Sequence, residues 1–133
     1  MFVLLLFLSF YGIAQRHVYV LFCYSESPRS YFYASNKKGG EVIIGHFIFD
    51  KKDIRDCPFN SFTFYKYKYE RSVIDVKVDS LKPMVSTDWI VSQPDSVLIS
   101  FFQGKDIYVI PQDSIKNGKS KAYRVTYSPC EIE

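Results

Sequence analysis

The sequence predicts an all-β fold: a small antiparallel β-sandwich or partly open barrel of about eight strands, with room for one short helical turn. Three observations carry that expectation. After residue 14 the chain holds 22 Val and Ile but only three Leu and two Ala. Branched side chains pack well on a pleated surface and lose rotamer freedom in a helix. Aromatic residues supply 20 of those 119 positions, again a strand bias. Finally, the apolar runs are short and punctuated by turn residues, and no window carries a convincing helical stripe.

Taken in order, 17–24 is an almost wholly apolar run that suits a central strand covered on both faces. Ser25-Glu26-Ser27-Pro28 breaks it. A short strand over 30–35 and a longer one over 41–49 flank Asn36-Lys37-Lys38-Gly39-Gly40, so the pair reads as a hairpin. Gly45 inside the second strand signals a bulge or a close backbone approach. The polar stretch 50–57 has room for one helical turn. The next strand, 61–70, puts Thr63, Tyr65, Tyr67 and Tyr69 on one face and Phe62, Phe64, Lys66 and Lys68 on the other. The second face turns from apolar to charged halfway along, so the strand is expected to leave the core partway. Arg71-Ser72 then links it to 73–79 in a predicted hairpin, with Ile74, Val76 and Val78 inward. Residues 80–95 are irregular, with a possible edge strand at 88–91. A further hairpin is predicted from 96–102 and 106–110, turning at Gln103-Gly104-Lys105. The polar connection 113–120 contains Asn117-Gly118 and room for a helical turn capped by Asp113 or Ser114. The last strand, 122–127, sets Tyr123, Val125 and Tyr127 against Arg124 and Thr126.

The first 14 residues stand apart, since 12 of them are hydrophobic. They read as a secretory signal peptide, with small residues Gly12 and Ala14 at the positions that a signal peptidase requires for cleavage before Gln15. The uninterrupted apolar stretch is too short to span a bilayer. No Lys or Arg precedes it, a departure from the usual pattern, and an uncleaved anchor or a buried strand is the alternative. Residues 15–133 then form a single β domain. The expected location is exported: periplasmic or outer-membrane-associated, or secreted.

Export places the three cysteines in an oxidising compartment. Cys57 and Cys130 lie in turn-like or terminal contexts and make the simplest disulfide. Cys23, inside a strand pattern, then remains a buried thiol. No CxxC motif supports thiol exchange or a zinc ribbon. The net charge of +3 falls short of the basic bias of a nucleic-acid binder.

Chemistry-bearing motifs are scarce. His17 and His46 are the only histidines. His46 shares a face with Ile44 and Ile48, as a structural histidine does, and no spacing favours a metal. No serine sits in a Gly-x-Ser-x-Gly elbow, and no glycine-rich phosphate loop exists. No catalytic residue, metal or cofactor is therefore expected. The surplus is aromatic: Tyr65, Tyr67 and Tyr69, the shorter pair Tyr31 and Tyr33, and Trp89 in a proline-flanked loop. Tyrosine and tryptophan combine an apolar ring with a polar tip, which suits interfaces. The sequence points to a non-catalytic, exported protein-binding module, either an accessory subunit of a cell-envelope complex or an immunity-type inhibitor. A carbohydrate or peptidoglycan binder using the same tyrosines is the alternative. A protein partner in the envelope is expected, nucleic acid is not, and the mature chain has no membrane-spanning segment.

Overall fold

A computed structural model describes residues 16–23, 30–37, 42–50, 59–67 and 73–129, the side chains at 36, 37 and 67 excepted. Among the described residues, eight strands join in one mixed sheet that does not close, accompanied by two short helices. The all-β class is as expected. The strands are β1 (His17–Phe22), β2 (Tyr31–Lys37), β3 (Val42–Asp50), β4 (Phe59–Tyr67), β5 (Val73–Lys77), β6 (Met84–Val85), β7 (Asp106–Pro111) and β8 (Lys119–Ser128). Their order is β2-β3-β4-β8-β7-β1-β6, with β5 also on β8. The pairs β1–β7 and β1–β6 are parallel and the others antiparallel. No helix among the described residues is long and apolar enough to cross a membrane.

The sheet curls strongly. β1 and β3 stand four strand spacings apart, about 19 Å in a flat sheet. Yet the Phe22 ring lies 5.2 Å from that of Phe47 and 5.1 Å from that of Phe49. Only a sheet coiled back on itself brings those rings together. Its concave side holds the core: Val18, Val20 and Phe22 from β1, Phe47 and Phe49 from β3, Phe62 and Phe64 from β4, Ile107 and Val109 from β7, and Val125 from β8. Two helices plug it. Helix α1 (Thr87–Ser92) contributes Ile90 and Val91, and α2 (Asp95–Phe102) contributes Leu98 and Phe102.

The helices correct the strands expected at 88–91 and 96–102. The run Ser96–Phe102 is rich in β-branched and aromatic residues, but Leu98 and Phe102 are four apart and share one helical face. Burying that face against the curled sheet overrides the local strand preference. The Ser86 side chain accepts a hydrogen bond from Trp89 N at 3.1 Å and caps α1. Thr87 then fastens α1 to β1: its hydroxyl donates to Leu21 O at 2.6 Å and accepts from Cys23 N at 2.8 Å. Gly104, at φ +71°, closes the stop of α2 rather than a hairpin.

The predicted β2–β3 hairpin forms, with Lys37 opposite Val42. The predicted hairpin of β4 with β5 does not. Both strands pair with β8, β4 through 61–63 and β5 through 73–77, in the same direction. The turn-like pair Arg71-Ser72 lies outside the described residues; the chain leaves β8 after Thr63 and returns to it at Val73. Phe62 and Phe64 are buried whereas Lys66 is exposed, so β4 does leave the core halfway. Ile74, expected inward, is 39% exposed; among the described residues β5 has β8 alone as its strand partner, and its alternation is broken. On β8, Val125 is buried and Tyr123 and Tyr127 pack against the core, while Arg124 and Thr126 are exposed. The polar connection forms a short 3-10 turn over Gln112–Ser114 and a tight turn at Asn117-Gly118, with φ of 53° and 72°. Cys57 and Cys130, the predicted disulfide, lie outside the described residues, as does the stretch expected to hold a helical turn, 50–57, apart from Asp50, which ends β3. Cys23 is buried, as expected.

Candidate aromatic interface

Strand alternation and register assemble one aromatic surface on the convex side of β2, β3 and β4. Tyr33 stands opposite His46, and His46 opposite Thr63. The neighbouring rows are Tyr31–Ile48–Ser61 and Ser35–Ile44–Tyr65. Within this face Tyr31, Tyr33 and Tyr65 are 39%, 40% and 46% exposed, whereas Ile44 and Ile48 are buried. Tyrosines thus cover the face, with aliphatic groups beneath them.

The rings are organised. Tyr33 overlaps the His46 imidazole with centroids 4.6 Å apart and planes 20° apart. Tyr31 continues the stack at 5.9 Å and 29°. His46 Nδ1 lies 3.0 Å from Thr63 Oγ1, and that hydroxyl lies 3.2 Å from Ser61 Oγ. This chain of hydroxyls fixes the imidazole, which in turn fixes Tyr33. Among the described residues no group of three or more His, Cys, Asp or Glu is placed to hold a metal ion.

Strand β2 adds a second property. It heads the sheet order, and β3 is its one strand partner among the described residues. Three consecutive residues there, Tyr31, Phe32 and Tyr33, are each about two-fifths exposed. Phe32 belongs to the concave side and rests on Phe47 at 4.7 Å. Both faces of this edge strand are therefore aromatic. The sequence pattern singled out the tyrosines but passed over Phe32; a run of three aromatics in a short strand before a hairpin turn was the available signal.

The other sequence-predicted residues fall elsewhere. Tyr67 continues β4 opposite Val42, but its side chain is among those not described, and Tyr69 lies outside the described residues. Trp89 is not on this surface. It sits on α1, half-buried against the concave core, with its ring 4.9 Å from that of Phe101. No family model, curated protein or solved structure matches the chain.

Proposed function

We propose that this chain is a non-catalytic, exported protein-binding module whose partner docks on the convex face and open edge of β2–β4. One observation carries the reading: three consecutive exposed aromatics on an edge strand, continued across the sheet by His46 and Tyr65. Edge strands invite strand addition, and β2 carries its single charge, Lys37, only at its end. Main-chain pairing at β2 would supply affinity, and the flanking rings would supply selectivity. A partner in a cell-envelope complex, or a toxin held by an immunity-type inhibitor, fits such a surface.

The ring geometry speaks against the carbohydrate alternative. Sugars stack on free ring faces. Tyr33 already stacks on His46 and lies beside Tyr31, so part of its ring surface is engaged within the protein. Ring edges and hydroxyls suit a polypeptide surface. Export is supported by the leader and by where the strand ladder begins. Arg16 O accepts a hydrogen bond from Asp106 N at 2.9 Å, and among the described residues the first in a strand pair is His17. Cleavage before Gln15 would cost β1 none of its pairing. The expected mass of the mature chain is that of residues 15–133, and recovery of a chain retaining Met1 from the producing cells would remove this part of the reading.

Affinity capture from native envelope extract is the direct test. A stoichiometric protein partner is expected with the parent chain. Tyr33→Ala combined with Tyr65→Ala should weaken capture by about tenfold or more, as losses at interface anchors do. Their exposure keeps the cost to folding within about 1 kcal/mol. An extract that yields no stoichiometric partner, or a double variant that captures it as well as the parent, would overturn the proposal.

A further inference from the structure

A second feature lies where β5 pairs with the first half of β8. Lys77 stands directly opposite Lys119, and Asp75 opposite Lys121, all on one face of the β5–β8 pair. Lys116 forms a bridge with Lys119 across the Asn117-Gly118 turn. The positive φ of both turn residues belongs to the tight turn type that holds its two flanks face to face. The turn is also tied to β5's end, since Val78 N donates to Gly118 O at 2.8 Å. Asp75 and the four lysines line a cavity of about 580 Å³, together with Ser114 and Ser120, whose hydroxyls are 2.6 Å apart.

The charge balance of this cavity is unusual. Four lysines face one aspartate, so it gathers as much net charge as the whole chain carries. All four lysines are exposed, and among the described residues none is within ion-pair distance of a carboxylate. Like charges directly opposite on paired strands destabilise a sheet. An anion seated among the lysines would reverse that cost. The cavity of about 600 Å³ near Asp106 has no comparable surplus, because Asp106 already pairs with Arg16 at 3.4 Å and Arg124 at 3.2 Å.

We propose that the Lys77–Lys116–Lys119–Lys121 cavity binds a phosphate-bearing ligand carrying at least two negative charges. Four ammonium groups supply point charges without the fork geometry that selects a single carboxylate. The phosphate is either free or part of a lipid headgroup, and the test separates the two. The site shares no residue with the β2–β4 surface and stands independently of it.

Pyrophosphate titrated into the full chain at low salt, followed by amide NMR, should shift residues 75–77 and 114–121 saturably. Affinity should fall steeply as salt rises. Lys77→Gln with Lys119→Gln should weaken binding by about tenfold or more, while thermal stability stays level or rises because the opposed charges are gone. Lys82→Gln, exposed and outside the cavity, should change neither. Sedimentation with vesicles containing cardiolipin, whose headgroup carries two phosphates, set against phosphatidylcholine alone, separates the sources. Retention on the anionic vesicles, lost in the double variant, assigns the headgroup, and pyrophosphate binding without retention assigns a free phosphate. Neither binding, shifts spread over all exposed lysines, or a double variant that binds as the parent does would overturn the site.

Discussion

Gly45→Ala is expected to destabilise the protein, against the usual sign of that substitution. Gly45 is not in the left-handed region, so its extended backbone admits alanine. At such a position alanine normally gains about 0.4–1 kcal/mol by restricting the unfolded chain. Here a Cβ would stand 2.1 Å from Phe64 Cε1, 2.3 Å from Cζ and 2.9 Å from Cδ1. Gly45 and Phe64 are paired across β3 and β4, and the ring lies over the glycine. The ring has little room to yield. It is 3% exposed and held by Tyr123 at 4.8 Å, Phe47 at 5.9 Å and Phe32 at 6.1 Å. Overpacking of this kind costs about 1–3 kcal/mol, and more where backbone must shift. Urea unfolding would measure it. The steric cause is checked in a Phe64→Leu background, where the same glycine substitution should cost clearly less. Additive losses in the two backgrounds would place the cause elsewhere.

This contact also shows how much of the fold was legible. The glycine's place in a strand pattern announced a close approach, though not which ring makes it. The β2–β3 hairpin, the switch of β4 from Phe to Lys and the Asn117-Gly118 turn were all local signals, and local signals survive into the structure. The two helices were not legible because the segment 87–102 carries strand-forming residues whose helical spacing matters only once the sheet curls to receive it. Pro94 and Gly104 bracket α2 as start and stop signals, yet each also fits a loop. The β4–β5 error has the same origin: adjacency in sequence suggested a hairpin, while the long strand β8 offered both strands a better edge.

The candidate surfaces follow the same division. Parity along a strand placed Tyr31 with Tyr33, and Tyr65 among the residues of one β4 face. It could not reveal that β3 lies between these strands and inserts His46 under Tyr33. Nor could it bring Lys77 against Lys119, which meet only because β5 returns to β8. Trp89 drew attention by its rarity and its loop, and neither property predicts exposure.

Asn60→Asp is expected to produce a large, pH-dependent loss of stability. Asn60 is fully buried and joins three elements. Its Nδ2 donates to Asp95 Oδ1 at 3.2 Å, on the first turn of α2, and to Pro129 O just beyond β8. Its Oδ1 accepts from the Tyr127 hydroxyl at 3.3 Å. Burial, and then the nearby Asp95 carboxylate, hold the Tyr127 phenol well above its ordinary pKa of 10.0, so the hydroxyl stays a donor. Aspartate has the same shape but replaces the donor with a second acceptor, facing a carboxylate and a carbonyl. An uncompensated buried charge costs about 3–5 kcal/mol. The cost falls on the ionised form, so the introduced carboxyl must have a folded-state pKa above its unfolded value of about 3.9. A raised pKa contributes stability below the unfolded value and loses it as pH rises through the folded one. The deficit against the parent should thus be widest at neutral pH and narrow towards pH 4, where the protonated oxygen donates in place of the amide. The parent should in turn weaken above about pH 10, as tyrosines freed by unfolding ionise more readily than Tyr127 does in the fold, and Tyr127→Phe should flatten that alkaline limb. Urea midpoints across pH would decide both. A deficit for Asn60→Asp that is constant with pH would mean that the amide's role is packing rather than donation.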